Sequence, residues 1–411
     1  MPLKAYFCLF KFIMKRKVNV VSLLIIAIVF FLLNWYVLSG LEVLFNNPAT
    51  PLFFWTFIAF ATALLAYAVS RIQSLGMGIL FKIATHLFLV LFAVEVLFVL
   101  ILLAGDAYTL IAQVPRSMIW LRFDLAISAL LVLVFIYGII RGKYAYRVIK
   151  HILYFDDLPK SFDGFTITQI SDVHSGSFSN AKAVQRGIDM IKAQQSDLFV
   201  FTGDLVNNKA EEIKPWIKQF SEIKAPFGQF SILGNHDYGD YVKWESEQKK
   251  KDNLQLLKSY HKDLGFKLLL DEHVELQKEN DKIILAGVEN WGIGFGERGD
   301  LEKSLSGTSA QDFKVLLSHD PSHWEAEVIK YRSKVHLTLS GHTHGMQFGI
   351  EAFGIKWSPV KLRYKHWAGI KELKEMYLNV NRGFGFIGFS GRVGIWPEIT
   401  VIELKRKQGT S

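Results

Sequence analysis

The chain has 411 residues, half of them hydrophobic and 21% charged, with 31 glycines, 10 prolines and a mean hydropathy of +0.22, which excludes a disordered or collagenous chain. Its one cysteine, Cys8, excludes a disulfide framework and any cysteine-rich zinc module. The net charge of +9 is concentrated in residues 1–150, which hold 13 Lys and Arg against 4 Asp and Glu, whereas 151–411 hold 34 of each. The excess lies beside apolar runs, so it reads as membrane orientation, and nucleic acid is not an expected partner.

Four apolar stretches, at about 18–39, 52–70, 79–104 and 119–140, each reach the roughly 20 residues that a helix needs to cross a bilayer. They predict a transmembrane domain over 1–150, followed by a second domain over 151–411. The first stretch is too long for a secretory signal and has no small-residue cleavage site. Lys11, Lys15, Arg16 and Lys17 precede it, Arg71 and Lys82 join the second to the third, and Arg141, Lys143, Arg147 and Lys150 follow the fourth. The other connections carry Glu42, and a mixed set of Asp106, Arg116, Arg122 and Asp124. The positive-inside rule then places both termini, and the whole second domain, on the cytosolic side of the cytoplasmic membrane. Lys82, His86 and Glu95 in the third stretch read as one snorkelling lysine and two interhelical partners, in preference to a proton path. Trp35, Tyr36 and Trp120 fit an interfacial aromatic belt.

From about Tyr154 the pattern changes to short β-branched runs alternating with amphipathic segments. Strands are predicted at 165–170, 198–201, 228–233, 283–288, 313–317, 335–339, 376–380 and 399–404. Helices are predicted at 181–195 and 211–223, with a charged, exposed one at 243–263. The alternation specifies α/β layering.

What terminates these strands carries the chemistry. In chain order the runs end in Asp172-Val173-His174, Gly203-Asp204, Gly234-Asn235-His236-Asp237, Ser318-His319-Asp320 and Gly341-His342-Thr343-His344. In an open α/β sheet the carboxyl edge is where ligands bind. Residues i and i+2 of an extended chain project to one side, so Asp172 and His174 are expected to grip one ion. Gly203, Gly234 and Gly341 suit sharp turns after a strand. Mixed oxygen and imidazole donors suit Mn, Fe or Zn better than Ca, and at least eight candidate ligands fit two metal ions better than one.

In that order these motifs resemble the calcineurin-like metallophosphoesterases. The tail Asn381-Arg382-Gly383 followed by Pro397-Glu398-Ile399 is similar to the membrane-associated bacterial branch of that family. The likeness covers about 160–405. It implies a four-layer β-sandwich flanked by helices, here preceded by the four-helix transmembrane block, and a metal-dependent phosphoric ester hydrolase. It further implies that Asp172, His174, Asp204 and His344 hold one metal, and that Asp204 bridges to a second held with Asn235, His319 and His342. His236 would contact the reacting phosphoryl group, with Asp237 orienting its imidazole. The sequence departs from the branch at Gly345-Met346-Gln347, usually Gly-Gly-Gln, and at Trp396, usually proline; both bear on the cleft and not on a ligand.

Some members of this family hydrolyse the pyrophosphate of UDP-diacylglucosamine, so a lipid-linked phosphodiester or pyrophosphate at the bilayer is the expected substrate. Residues 348–374 interleave Phe348, Phe353, Trp357, Tyr364 and Trp367 with Lys356, Lys361, Arg363, Lys365 and Lys371, which suits lipid headgroups as well as a packed cap. Phe384, Phe386 and Phe389 either complete a greasy cleft or pack on the core, the latter favoured. The rival readings are a phosphodiesterase of soluble nucleotides or nucleic acid, and a membrane sensor or transporter with a regulatory phosphoesterase-like domain.

Overall fold

The computed structural model describes residues 20–71, 79–352 and 354–407. Cys8, Lys11, Lys15, Arg16, Lys17, the expected helix start at Val18, and Phe353 lie outside the described residues. The chain divides into two compact units: the four N-terminal helices with Phe389–Gly391, and Arg141–Gly388 with the segment from Arg392.

In the helical unit, α1 (Val20–Phe45), α2 (Thr50–Ser70), α3 (Ile79–Ala112) and α4 (Met118–Ile140) are each long and apolar enough to span a membrane. Val37, Phe98, Leu102 and Leu121 pack inside, while most other large apolar side chains face outward. That distribution suits lipid as solvent, since backbone polar groups are satisfied within each helix. Two expectations change here. Glu42 and Asp106 lie on helices and not on connections, because α1 runs six residues past its expected end at 39 and α3 eight past its expected end at 104; Arg122 and Asp124 belong to α4 itself. Asp106 is accommodated by Arg116, which donates to it through Nε at 2.8 Å and Nη2 at 2.6 Å, and by the Tyr36 hydroxyl at 2.6 Å. Interhelical pairing of Glu95 is also not what forms among the described residues. Both carboxylate oxygens of buried Glu95 lack a hydrogen-bond partner among the described residues, whereas His86 Nδ1 bonds the carbonyl of Lys82 and its Nε2 accepts from Ser390 N at 2.8 Å.

The second unit is a sandwich of two mixed six-stranded sheets. In chain order its strands are β1 (Arg147–Phe155), β2 (Phe165–Ile170), β3 (Leu198–Phe201), β4 (Gln229–Ser231), β5 (Lys267–Leu268), β6 (Glu272–Lys278), β7 (Asp281–Gly287), β8 (Trp291–Gly292), β9 (Gly296–Glu297), β10 (Lys314–Leu317), β11 (Leu337–Ser340), β12 (Ile350–Ala352), β13 (Ile355–Trp357), β14 (Gly369–Leu373), β15 (Met376–Val380) and β16 (Glu398–Arg406). One sheet has the order β1-β16-β2-β3-β4-β5 and the other β14-β15-β11-β10-β7-β6; β8-β9 and β12-β13 are separate ribbons.

The layers follow from strand alternation. Leu198 and Val200 of β3 face Val315 and Leu317 of β10 across the inner core. Phe199 and Phe201 instead meet Val184, Ile188 and Ile191 of α5 (Ala181–Lys192) on the outer face. Leu316, Leu378 and Val380 pack on Trp324 and Leu301 on the far side. The result is helix, sheet, sheet, helix: the four-layer α/β architecture expected.

Local deviations have physical causes. The expected helix at 211–223 is a 3₁₀ segment, Ala210–Trp216, closed by the four-residue α6 (Ile217–Phe220), because Pro215 removes an amide donor in mid-segment. The charged helix, α7 (Glu247–Asp263), starts late, at the Ser246 N-cap, whose side chain accepts from Lys249 N. β1 escapes the sequence pattern because, as an edge strand paired only with β16, it mixes Arg147, Lys150 and His151 among apolar residues.

His261, on α7, is buried; its Nδ1 lies 2.9 Å from Ser231 Oγ and its Nε2 has no partner among the described residues. Burial pushes its pKa from 6.5 down to about 3. Between those values the unfolded chain binds a proton that the folded chain refuses, so this contribution is intact above pH 6.5 and lost as pH falls. At pH 5 the loss is about 2 kcal/mol. Thermal unfolding of the detergent-solubilised chain should therefore show a smaller drop from pH 7 to pH 5 for His261→Gln than for the wild type.

Candidate metal centre

The carboxyl ends of β2, β3, β4, β10 and β11 converge where the two sheets approach. Gln169 of β2 links the sheets just beneath, its Nε2 donating to Thr202 Oγ1 at 3.0 Å and to the Ser340 carbonyl at 2.9 Å. Register keeps the ends level, with Ile170 opposite Phe201, Phe201 opposite Ser231, and Leu317 opposite Leu339. Each strand therefore releases its polar turn at one depth.

The turns bring the side chains together in a different way from strand alternation. Asp172, His174, Asp204, His342 and His344 all have positive φ, from 46° to 68°. Asp172 and His174 meet through left-handed backbone, not as an i, i+2 pair on an extended strand. Such conformations cost on the order of 1–3 kcal/mol each and persist where the surroundings over-determine them, typically at functional sites. Gly203, at φ 93°, makes the turn before Asp204. Gly341 is required for a different reason: a Cβ there would overlap Ser171 Oγ and Asp172 Oδ2. We expect Gly341→Ala to lose about 1–3 kcal/mol of stability by overpacking and to displace the Asp172 carboxylate. Thermal unfolding combined with elemental analysis of bound metal would check both effects.

Two donor groups result. Asp172, His174 and His344 present ligand atoms within 4.8 Å of one another, as do Asp204, His319 and His342, and all six residues are buried. Asp204 stands between them, its Oδ2 3.5 Å from His174 Nε2 and 3.2 Å from His319 Nε2. In the first group, His344 Nε2 lies 2.9 Å from His174 Nε2 and 3.2 Å from Asp172 Oδ1. His319 Nδ1 donates to the Thr202 carbonyl at 2.7 Å, which leaves its Nε2 lone pair pointed at a carboxylate. Buried lone pairs face one another stably only with a proton or cation between them. Asn235 adds a third type of donor: its Nδ2 donates to the Tyr241 hydroxyl at 2.7 Å, and its buried Oδ1 has no partner among the described residues. The donor set of carboxylate, amide oxygen and imidazole fits divalent transition-metal ions.

Electrostatics agree. Burial pushes the Asp204 carboxyl up, but His319 and His236 outweigh it and hold the group at about 2. The Asp172 carboxyl is held low despite its burial, chiefly by His344. His319 is shifted the other way, to about 10, because the Asp204 carboxylate overcomes burial, so where no cation lies between its Nε2 and that carboxylate a proton does. His174 and His342 are driven well below the ordinary imidazole range by burial, which keeps their lone pairs available.

The role expected for Asp237 is not what the structure shows. Its carboxylate accepts from the backbone N–H groups of Asp204, Leu205, Val206 and Gly234, at 2.8–3.2 Å, and so fixes the two turns that present Asp204 and Asn235. The His236 ring is oriented instead by Asn207, whose carbonyl accepts from His236 Nδ1 at 2.8 Å. A carboxylate one residue away along the chain loses to a carbonyl because four amide donors already claim it.

Several neighbours escaped the sequence reading. Asp320 lies behind His342, its Oδ2 3.4 Å from His342 Nε2 and accepting from the Tyr364 hydroxyl at 3.0 Å. Fully buried Arg392 donates to the carbonyls of Arg382, Gly383 and Gly385 and sits 3.2 Å from His344 Nδ1. Asp320 had a signal, its adjacency to His319; Arg392 had none, since only folding brings residue 392 beside 344. Tyr364 and Trp367 are buried in a cap with Phe295 and Val360, whereas Trp357 remains exposed. Phe384 and Phe386 pack on the core as favoured, Phe384 stacking on Tyr146 at 4.4 Å.

Comparison with known proteins agrees with the fold. Residues 165–346 match the calcineurin-like phosphoesterase family, and residues 17–143 match the probable calcineurin-like phosphoesterase transmembrane domain. An uncharacterized metallophosphoesterase of Bacillus subtilis, YkuE, is 31% identical over 251 residues, which are 60% of this chain and 82% of that protein. A zebrafish (Danio rerio) transmembrane protein with a metallophosphoesterase domain is 27% identical, over 66% of this chain and 60% of that one. An uncharacterized metallophosphoesterase of Aquifex aeolicus is 29% identical, over 64% and 94% respectively. The chain belongs to the calcineurin-like metallophosphoesterases and is a membrane-associated hydrolase of that family.

Proposed function

We propose that this protein is a dinuclear-metal phosphoesterase of the cytoplasmic membrane that cleaves a phosphodiester or pyrophosphate, of a lipid-linked substrate such as UDP-diacylglucosamine, on the cytosolic side. The observation that carries the reading is the meeting of two donor groups at Asp204. Asp172, His174, His344 and Asp204 would hold one ion; Asp204, Asn235, His319 and His342 would hold the other, with Mn, Fe or Zn all suited. Bound divalent ions acidify water and neutralise phosphoryl oxygens. The chain's own residues do the rest. Asp204 and Asp172 offset the positive charge, and Asp237 holds the turns. His236, with Nδ1–H committed to Asn207, has only Nε2 left to meet a phosphoryl or leaving oxygen. In that role Nε2 must carry the proton it delivers, so the working form is the imidazolium.

The lipid-linked substrate is supported by the membrane-spanning helices. The equal numbers of acidic and basic residues in 151–411 argue against a nucleic-acid groove. To test it, the full chain in detergent is assayed on lipid-linked pyrophosphates and on soluble nucleotides, before and after chelation. Metal-dependent turnover that favours the lipid-linked compounds is expected. Preference for soluble nucleotides would overturn the substrate, and chelator-insensitive turnover would overturn the metal centre.

A further inference from the structure

The ribbon of β12 and β13 is amphipathic in the reverse sense. Ile350 pairs with Trp357, Glu351 with Lys356 and Ala352 with Ile355. Directly opposed residues share a face and successive residues alternate, so Ile350, Ala352, Ile355 and Trp357 form one face, and Glu351 with Lys356 the other. The polar face is anchored to the body of the unit. Glu351 Oε1 accepts from Arg382 Nε at 3.1 Å and Nη2 at 2.6 Å, and Lys356 Nζ donates to the Ala368 carbonyl at 2.6 Å. The apolar face is left outside, with Ile355 56%, Ile350 50% and Trp357 45% exposed. Leu362, five residues on, is 95% exposed, between exposed Lys361 and Arg363.

An isolated ribbon normally turns its apolar side inward, because exposing it costs about 25 cal/mol per Å². We infer that this apolar face, with Leu362, is seated in the headgroup and acyl boundary of a bilayer containing anionic lipid. Three observations select lipid as the occupant. The same chain carries four helices able to span a membrane, and only residues 141–146 separate the last of them from β1. Exposed Lys361, Arg363 and Lys365 flank exposed Leu362 along the chain, the composition of an interfacial segment that combines apolar insertion with attraction to anionic headgroups. The face is also small: two three-residue strands cover roughly 10 Å by 10 Å, far below the about 800 Å² per partner of a stable protein interface.

The test uses the full chain with Cys8→Ser, reconstituted in vesicles of phosphatidylcholine and phosphatidylglycerol, with a nitroxide at Ile355→Cys, Leu362→Cys or the exposed control Lys303→Cys. Collision with oxygen, which partitions into lipid, is compared with collision with a water-soluble nickel chelate. The oxygen-to-nickel ratio at 355 and 362 should exceed that at 303 by about threefold or more, as for side chains a few ångströms into the interface. A ratio equal to the control places the face in water and overturns the inference. Protection from both reagents means a second copy or another protein covers it, which overturns it equally. The labels report on lipid whether or not the substrate reading holds, so the two fail separately.

Discussion

Asp204→Asn will strip the centre of metal and of activity together. The substitution keeps the shape of the side chain and an acceptor for the His236 amide, which Asp204 Oδ1 now binds at 2.8 Å. It removes the negative charge from the one oxygen that faces both His174 and His319. This oxygen stands within 3.5 Å of a histidine from each group, so its charge is shared by both. Metal content measured by elemental analysis should fall from about two ions per chain to fewer than one, the difference between a two-metal site and a broken one. Turnover of bis(p-nitrophenyl) phosphate should fall further than the roughly 10²–10⁴-fold of a lost proton donor. A variant with full metal content and undiminished turnover would refute the assignment of Asp204 as the shared ligand.

The second large effect separates chemistry from metal binding. His236→Ala should lower kcat by roughly 10²–10⁴-fold, the usual worth of general acid assistance, while bound metal stays near the wild-type amount. The reason is positional. His236 packs its ring 5.0 Å from that of His174 but stands outside both donor groups, held by Asn207. The pH profile adds a sign. Burial lowers the His236 pKa, and the working form is protonated, so the wild-type rate should decline as pH rises through that lowered value. The alanine variant should lack this limb of the profile. If metal is lost in parallel with activity, His236 is a ligand and the proton role falls.

The two halves of the chain differed in how much of them could be read beforehand. The spanning helices were legible because a bilayer imposes a length and a composition, and these survive any packing arrangement. Central strands such as β3, β10 and β11 were legible because burial on both faces makes them continuous apolar runs. Strands at the edges were not: β1 and β14 mix polar with apolar residues, since one side of each meets solvent. Glu95 was misjudged for a related reason. Sequence shows that a carboxyl group lies in an apolar helix, but whether a partner reaches it depends on how neighbouring helices rotate.

By itself, then, the sequence determined that a membrane block precedes an α/β block, and that Asp, Asn and His close five apolar runs in order. Only the tertiary structure decided how those turns work. Left-handed backbone, not strand alternation, aims Asp172 and His174. Asp237 turned out to hold amides and Asn207 to hold His236, because hydrogen-bond partners are chosen by distance in space, and four nearby N–H groups outcompete one neighbouring ring. Arg392 behind His344, and a ribbon with its oily side out, belong to the same class of fact. Local spacing fixes which groups exist; long-range packing fixes what each of them faces.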